Sequence, residues 1–132
     1  SAGSDYAAIT ALEVGETQAF AAGRFTGTID FDPGAGSFSQ IATPSASNKG
    51  DFFVLRLNSI PGTFSTAVRW GNGEDGLTTD ILFGGCSTFL LYSTGYFTGT
   101  TDFDPGTGIV NGTSAGGADA FLVQSRGDLL TF

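Results

Sequence analysis

The sequence contains no histidine, no methionine and a single cysteine, Cys86. Without histidine the chain lacks the side chain that most often moves protons at neutral pH, and it lacks the His/Cys sets that bind zinc. One cysteine excludes an intrachain disulfide, and no basic neighbour activates it, so we interpret Cys86 as a buried structural thiol, with an interchain disulfide or a reactive thiol as the alternative. The absences predict that the protein is not an enzyme, although aspartate is plentiful enough to leave a carboxylate pair for glycoside hydrolysis open.

Positive charge and long apolar runs are also scarce. Five Lys and Arg residues stand against 13 Asp and Glu residues, which gives a net charge of −8. This charge repels phosphate backbones, so we predict that nucleic acid is not a partner. No apolar run approaches the ~18 residues that a membrane-spanning helix needs, and we predict no membrane span.

Glycine and phenylalanine are abundant instead, with 21 and 13 residues. Short runs of apolar and β-branched residues alternate with clusters of Gly, Pro, Ser and Asn, as in strands joined by turns. A helix would lose about 1 kcal/mol for each interior glycine, and no segment keeps helical apolar spacing over three turns. The pattern predicts an all-β protein.

The chain contains an internal repeat. "GRFTGTIDFDPGAG" (23–36) and "GYFTGTTDFDPGTG" (95–108) are identical at 11 of 14 positions. Two further alignments place Asp51 opposite Asp119 and Gly3 opposite Gly73. We therefore predict one all-β unit made of two repeats, about 1–70 and 71–132.

The predicted strands number four in the first repeat and three in the second. They are Ala7–Val14, Thr17–Phe25, Asp51–Asn58 and Phe64–Trp70, then Leu77–Phe83, Thr88–Phe97 and Ala120–Ser125. Counterparts of Ser65–Trp70 would fall beyond Phe132. Tandem four-stranded antiparallel sheets predict two β-propeller blades, the second lacking its last strand; a β-sandwich is the alternative.

The chain also resembles a known family in the order "GRFTGTIDFDPGAG", "GDFFVLRLN", "FSTAVRWGNGEDG", "TDIL", "STGYFTGTTDFDPG" and "SAGGADAFLV". These motifs look like the bacterial beta-propeller repeat family named for seven-bladed propellers (SBBP). The resemblance implies a propeller architecture and an extracellular or cell-surface bacterial protein, and it implies no particular activity. The hairpins "EVGETQAF" and "FGGCSTFLLY" depart from the family pattern.

The repeated DFDPG motif has two interpretations. On an extended backbone its two aspartates point to the same side and, with threonine hydroxyls, are candidate calcium ligands: Asp30, Asp32, Asp102 and Asp104. The favoured interpretation is a type II turn, in which Asp32 caps, Pro33 presets φ and Gly34 takes positive φ. No other cofactor is predicted.

Two further positions have candidate roles. Trp70, at the end of a predicted strand, is expected to pack between the repeats, with a sugar-binding platform as the alternative. Asp51 and Asp119 each precede a Phe-rich strand and are expected to bind the backbone of an adjacent turn.

Two blades cannot close a ring, because a propeller needs about four to eight. The uncovered blade faces predict self-association, and Leu130 and Phe132 would lie at an open strand edge that accepts a strand from a neighbour. The leading hypothesis is an exported, non-enzymatic structural protein that assembles into a ring or filament. The alternatives are a cell-surface adhesion module that binds glycans and a fragment of a longer propeller.

Overall fold

The computed structural model describes residues 5–44, 49–84, 89–126 and 128, and these residues form eleven β-strands and no helix. The first repeat contains β1 (Tyr6–Val14), β2 (Gln18–Thr26), β3 (Thr28–Asp30), β4 (Ser39–Ile41), β5 (Asp51–Asn58) and β6 (Phe64–Trp70). The second contains β7 (Gly76–Gly84), β8 (Leu90–Phe97), β9 (Thr100–Asp102), β10 (Asn111–Thr113) and β11 (Asp119–Arg126). The predicted all-β fold class is confirmed.

Two main antiparallel sheets contain the seven predicted strands. The first sheet has the order β1-β2-β5-β6, and the second has the order β11-β8-β7. Each repeat also contains a short hairpin that the sequence analysis missed: the first hairpin is β3-β4 and the second hairpin is β9-β10. The hairpin lies between the second and third strands of its main sheet in chain order.

A glycine starts each hairpin. Gly27 and Gly99 follow β2 and β8 with φ of 68° and 70°. Positive φ is open to glycine at little steric cost, so the chain can turn out of the main sheet within one residue. The repeated Thr-Gly-Thr motif is thus the point where each hairpin leaves its sheet.

The strand register corrects the alignment of the repeats by one residue. Ala7 lies opposite Phe25 in the first sheet, and Gly76 lies opposite Phe97 in the second. Because Phe25 and Phe97 are equivalent, Ala7 corresponds to Gly76. The sequence alignment that places Gly3 opposite Gly73 would instead pair Ala7 with Leu77. A shift of one residue moves a side chain to the other side of a sheet. Below, counterparts are residues at the same register position in the two repeats.

Each main sheet has two faces, named here by equivalent residues. The front face carries Phe20 and Val54 in the first sheet and their counterparts Tyr92 and Leu122 in the second. The back face carries Phe25 and Phe53, and the counterparts Phe97 and Phe121. The hairpin of each repeat packs on the back face of its own sheet through Phe31 or Phe103.

The front face of the first sheet packs on the back face of the second sheet. One hydrophobic core is shared between them, with Phe52 stacked on Phe121 at 5.3 Å between ring centroids and Phe20 stacked on Phe83 at 5.7 Å. Aromatic pairs of this kind add to the free energy of burial. The two repeats therefore bury each other's apolar side chains.

Candidate functional site

The back face of the first sheet exposes apolar residues whose counterparts in the second sheet are buried or partly buried. Leu12 is 66% exposed, whereas its counterpart Ile81 is 4% exposed. Ile9 and Val14, on the same strand as Leu12, are also exposed, and the three side chains form an apolar strip. The equivalent strip of the second sheet is covered by the front face of the first sheet. In the part of the chain that the structure describes, nothing equivalent covers it in the first sheet.

The front face of the second sheet is open in the same way. Leu122 is 72% exposed, while its counterpart Val54 is fully buried at 0%. Tyr92 is half-buried, although its counterpart Phe20 is buried. A mainly apolar groove of about 390 Å³ runs over this face and is lined by Asp80, Ile81, Leu82, Tyr92, Thr94 and Leu122.

The first aspartate of each DFDPG motif holds its hairpin loop closed. Asp30 Oδ1 accepts the N–H groups of Asp32 at 3.0 Å and Phe38 at 2.8 Å. In the second repeat Asp102 Oδ1 accepts the same two bonds, from Asp104 at 3.0 Å and Val110 at 2.8 Å. One carboxylate thus fixes the two ends of a seven-residue loop segment in each repeat, 32–38 and 104–110.

The second aspartate forms an Asx turn. Asp32 Oδ1 accepts the N–H of Gly34 at 2.7 Å, and Asp104 Oδ1 accepts that of Gly106 at 2.6 Å. Positive φ occurs at other described glycines and at neither of these, so the predicted type II turn is wrong. The aspartate side chain replaces a backbone carbonyl as the acceptor, and the turn therefore needs no left-handed residue.

A later glycine of the motif lets the loop backbone pack closely against the carboxylate of the second aspartate. A Cβ built on Gly36 would lie well inside van der Waals contact of Asp32 Oδ2, and one on Gly108 would meet Asp104 Oδ2 in the same way. The backbone can approach the carboxylate this closely only without a side chain. This contact explains why both copies of the motif continue to a glycine at this position.

The candidate calcium ligands Asp30, Asp32, Asp102 and Asp104 thus bind backbone N–H groups of their own loops. Among the described residues there is no group of three or more His, Cys, Asp or Glu side chains that could hold a metal ion. Calcium prefers six to eight oxygen ligands. We assign these carboxylates a role in the turns and propose no calcium site.

The loop of the first repeat makes a testable pH prediction. The N–H groups of Phe38 and then Asp32 lower the pKa of Asp30 below its usual 3.8. The stability that this carboxylate contributes is therefore present above the pKa of the unfolded chain and is lost as the pH falls through the lower folded pKa. We expect Asp30→Asn to reduce the free energy of unfolding at pH 7, and the difference from wild type to close below pH 3.8.

Urea unfolding over a pH series measures this difference. Glu16→Gln is the matched control, because Glu16 is exposed and forms no hydrogen bond among the described residues. A gap between wild type and Asp30→Asn that stayed constant down to acid pH would contradict the assignment.

Asp51 joins three parts of the first repeat. Its carboxylate is fully buried, and Oδ2 accepts bonds from Arg69 of β6, from Thr43 N at 2.8 Å and from Thr43 Oγ1 at 2.9 Å. The counterpart Asp119 accepts the N–H of Ala115 at 2.9 Å and forms no ion pair among the described residues. The expectation that both aspartates bind the backbone of an adjacent turn is confirmed.

Trp70 lies between the two main sheets. Its side chain is 2% exposed, Nε1 donates a hydrogen bond to Phe103 O at 3.0 Å, and the ring centroid lies 6.0 Å from that of Phe52. The indole therefore connects the first sheet to the second hairpin. Buried in this way, it presents no ring face on which a sugar could stack.

The predicted assembly edge at Leu130 and Phe132, and Cys86, lie outside the described residues. Within the described residues, an unpaired strand edge is nevertheless present at β11. Strand β11 pairs with β8 on one side, whereas its counterpart β5 pairs with β2 and with β6. Among the described residues, the other side of β11 has no strand.

Sequence reasoning missed the residues that make the two open faces, above all Leu12, Tyr92 and Leu122. A signal was present in β11, where Phe121, Leu122 and Val123 are consecutive apolar residues. In a strand with one solvent-exposed face, apolar and polar residues alternate, whereas a strand that is covered on both faces is apolar throughout. The run therefore places apolar side chains on both faces of the second sheet.

No helix among the described residues is long and apolar enough to cross a membrane. No family model, curated protein or solved structure matches this chain. The functional assignment consequently depends on the geometry of the open faces and the open strand edge.

Proposed function

We propose that this chain is a non-enzymatic, exported structural protein whose copies assemble head to tail through their main sheets. The back face of the first sheet of one copy packs on the front face of the second sheet of the next copy. The observation that carries the proposal is the pair of counterparts Leu12 and Ile81, of which one is exposed and the other is buried by the first sheet. The export rests on the family resemblance alone.

The contact inside the chain serves as the template for the contact between copies. In the chain, Phe121 and Ile81 of a back face meet Phe52 and Phe20 of a front face. Between copies, the equivalent back face offers a strip of exposed side chains, Ile9, Leu12 and Val14. The equivalent front face offers Tyr92, Leu122 and Leu82. Burial of these side chains removes apolar surface from water, at about 25 cal/mol for each Å².

A head-to-tail contact gives a closed ring or an open filament, depending on the rotation between copies. In this proposal the repeats are β-propeller-type blades, and about three or four copies would close a ring of six or eight. A rotation that does not close would give a filament held by the same contact.

The experiment uses one charged substitution on each face. Leu122→Asp places a carboxylate on the front face of the second sheet, and Leu12→Asp places one on the back face of the first sheet. Both side chains are exposed in the chain itself, so both variants are expected to fold. Ile60→Asp is the matched control, because Ile60 is 86% exposed and lies in the turn between β5 and β6.

We expect wild type and Ile60→Asp to form multimers of the 13.5 kDa chain in light scattering, and each face variant to be a monomer. A mixture of the two face variants is the decisive sample, because each retains the face that the other has lost. Such a mixture should form a 1:1 dimer and no larger species. Monomeric wild type, or assembly that survives both substitutions, would overturn the proposal.

The alternative of a surface carbohydrate-binding module has no comparable support. Its candidate sugar platform, Trp70, is buried between the sheets. No second function is therefore proposed.

A further inference from the structure

The front face of the second sheet carries one carboxylate inside the proposed contact between copies. Asp80 lies on β7, is exposed and lines the apolar groove of this face together with Tyr92 and Leu122. Its Oδ1 accepts the N–H of the adjacent Ile81 at 2.9 Å, and it forms no ion pair among the described residues. The carboxylate is thus neutralised by no described cation of its own chain.

The contact inside the chain buries an uncharged residue at this position. Ala11 lies opposite Ala22 of β2, and Asp80 lies opposite Thr94, the counterpart of Ala22, on β8. Asp80 is therefore the counterpart of Ala11, which is 9% exposed and belongs to the core shared by the two sheets. A contact between copies on the same template places a carboxylate where the chain itself buries a methyl group.

The threonine before each of these residues shows that the template holds locally. Thr10 Oγ1 donates to Ala22 O of its own sheet at 3.3 Å and also to Thr78 O of the second sheet, so β1 touches β7 directly here. The counterpart Thr79 Oγ1 donates to Thr94 O at 3.3 Å in the same way and is exposed. The two strands therefore present the same local structure to whatever packs on them.

The surface that faces Asp80 in this contact offers no free cation. On the back face of the first sheet, the only charged strand residues are Asp51 and Arg69, which bind each other. On the front face of the second sheet, the other titratable strand residues are Tyr92, Tyr96 and Arg126. Arg126 lies two strands away from Asp80 and four residues further along, roughly 16 Å between Cα atoms by strand spacing, which is beyond the reach of an ion pair.

Burial of a carboxylate without a cation disfavours its charged form. We propose that proton uptake by Asp80 regulates the head-to-tail contact, so that copies associate more tightly in acid than at neutral pH. The inference rests on the proposed function and adds its regulation. Because the contact binds more protons than the separated copies, association strengthens as the pH falls. The apolar side chains hold the contact at neutral pH, and Asp80 determines how its strength changes with pH.

The 1:1 dimer of the Leu12→Asp and Leu122→Asp proteins isolates one such contact. The intact front face belongs to the Leu12→Asp protein, so the contact covers Asp80 of that protein only. Asp80 of the Leu122→Asp protein stays in solvent, on the disrupted face. Asp80→Asn in the Leu12→Asp protein is therefore the test. The same substitution in the Leu122→Asp protein is the matched control, since it changes the net charge equally.

Isothermal titration calorimetry between about pH 7 and about pH 5, above the usual range of exposed aspartates, measures the association constant and the protons taken up. With both Asp80 residues present, we expect the association constant to rise by up to about tenfold per pH unit, the slope for one proton bound per contact. Asp80→Asn in the Leu12→Asp protein should tighten the dimer at neutral pH by about tenfold or more and remove this slope, because no buried charge remains. The control substitution should change neither quantity.

Two results would overturn the inference and leave the head-to-tail contact in place. One is a dimer whose affinity changes with pH to the same extent with and without Asp80 in the contact. The other is an equal effect of Asp80→Asn in the two proteins, which would reflect net charge alone. Absence of any dimer would instead remove the proposed contact itself, and this inference with it.

Discussion

Trp70→Ala is expected to lower the free energy of unfolding by about 3–5 kcal/mol, the range for removal of a large buried aromatic side chain. The substitution opens a cavity between the two main sheets and leaves Phe103 O without its donor. Domains of this size are stable by only about 5–15 kcal/mol in total, so the loss is a large share of the whole.

Urea unfolding followed by far-ultraviolet circular dichroism measures this effect, because Trp70 is the only tryptophan and its removal abolishes the fluorescence signal. The variants carry Leu12→Asp so that association between copies does not contribute to the measured stability. Trp70→Phe keeps much of the ring but loses the N–H donor, and we expect an intermediate loss of about 1–3 kcal/mol.

Phe89→Ala is the matched aromatic control, since Phe89 is 58% exposed. Its removal should cost less than about 1 kcal/mol, as for most surface substitutions. A Trp70→Ala protein as stable as the Phe89→Ala protein would show that Trp70 does not join the sheets in solution.

Arg69→Ala is expected to be the second most damaging substitution, at about 3 kcal/mol, because it leaves the buried Asp51 carboxylate without its cation. The value is at the lower end of the range for broken buried pairs since the Arg69 side chain is one-third exposed. Thr43 still donates two bonds to Asp51, but Asp51 Oδ1 accepts none from the residues that the structure describes.

The sign of a second substitution tests this explanation. Asp51→Asn removes the buried charge, so the double variant Asp51→Asn/Arg69→Ala should be more stable than Arg69→Ala alone. Asp119→Asn in the second repeat is the matched control, because Asp119 has no ion pair among the described residues, and its effect should be small. A double variant less stable than Arg69→Ala would contradict the electrostatic account.

The sequence was sufficient to predict the main strands because they are long and are separated by turn residues. β5 and β6 begin and end at the predicted residues, and the other main strands differ by a few residues at their ends. The hairpins were missed because β3, β4, β9 and β10 contain three residues each, too few to show a period of two.

The faces of the sheets could not be predicted, because they depend on register. β1 and β7 each contain an irregularity, near Thr10 and Thr79, and the sequence alignment was one residue out of step with the strands. With that shift Leu12 is compared with Leu82, and both are exposed. The correct comparison with Ile81 appears only once the strands are paired, and it is this comparison that identifies the candidate site.

The core shared by the two sheets also determines how the chain gains its stability. Most of the buried side chains of the second sheet are covered by the first, and Trp70 reaches across to the second hairpin. The first repeat keeps a cluster of its own between its back face and its hairpin, but the larger core lies between the two repeats, and the second repeat depends on the first to complete its interior. The sequence is duplicated, yet the folding unit is the pair, and the two repeats are expected to fold and unfold as one cooperative body.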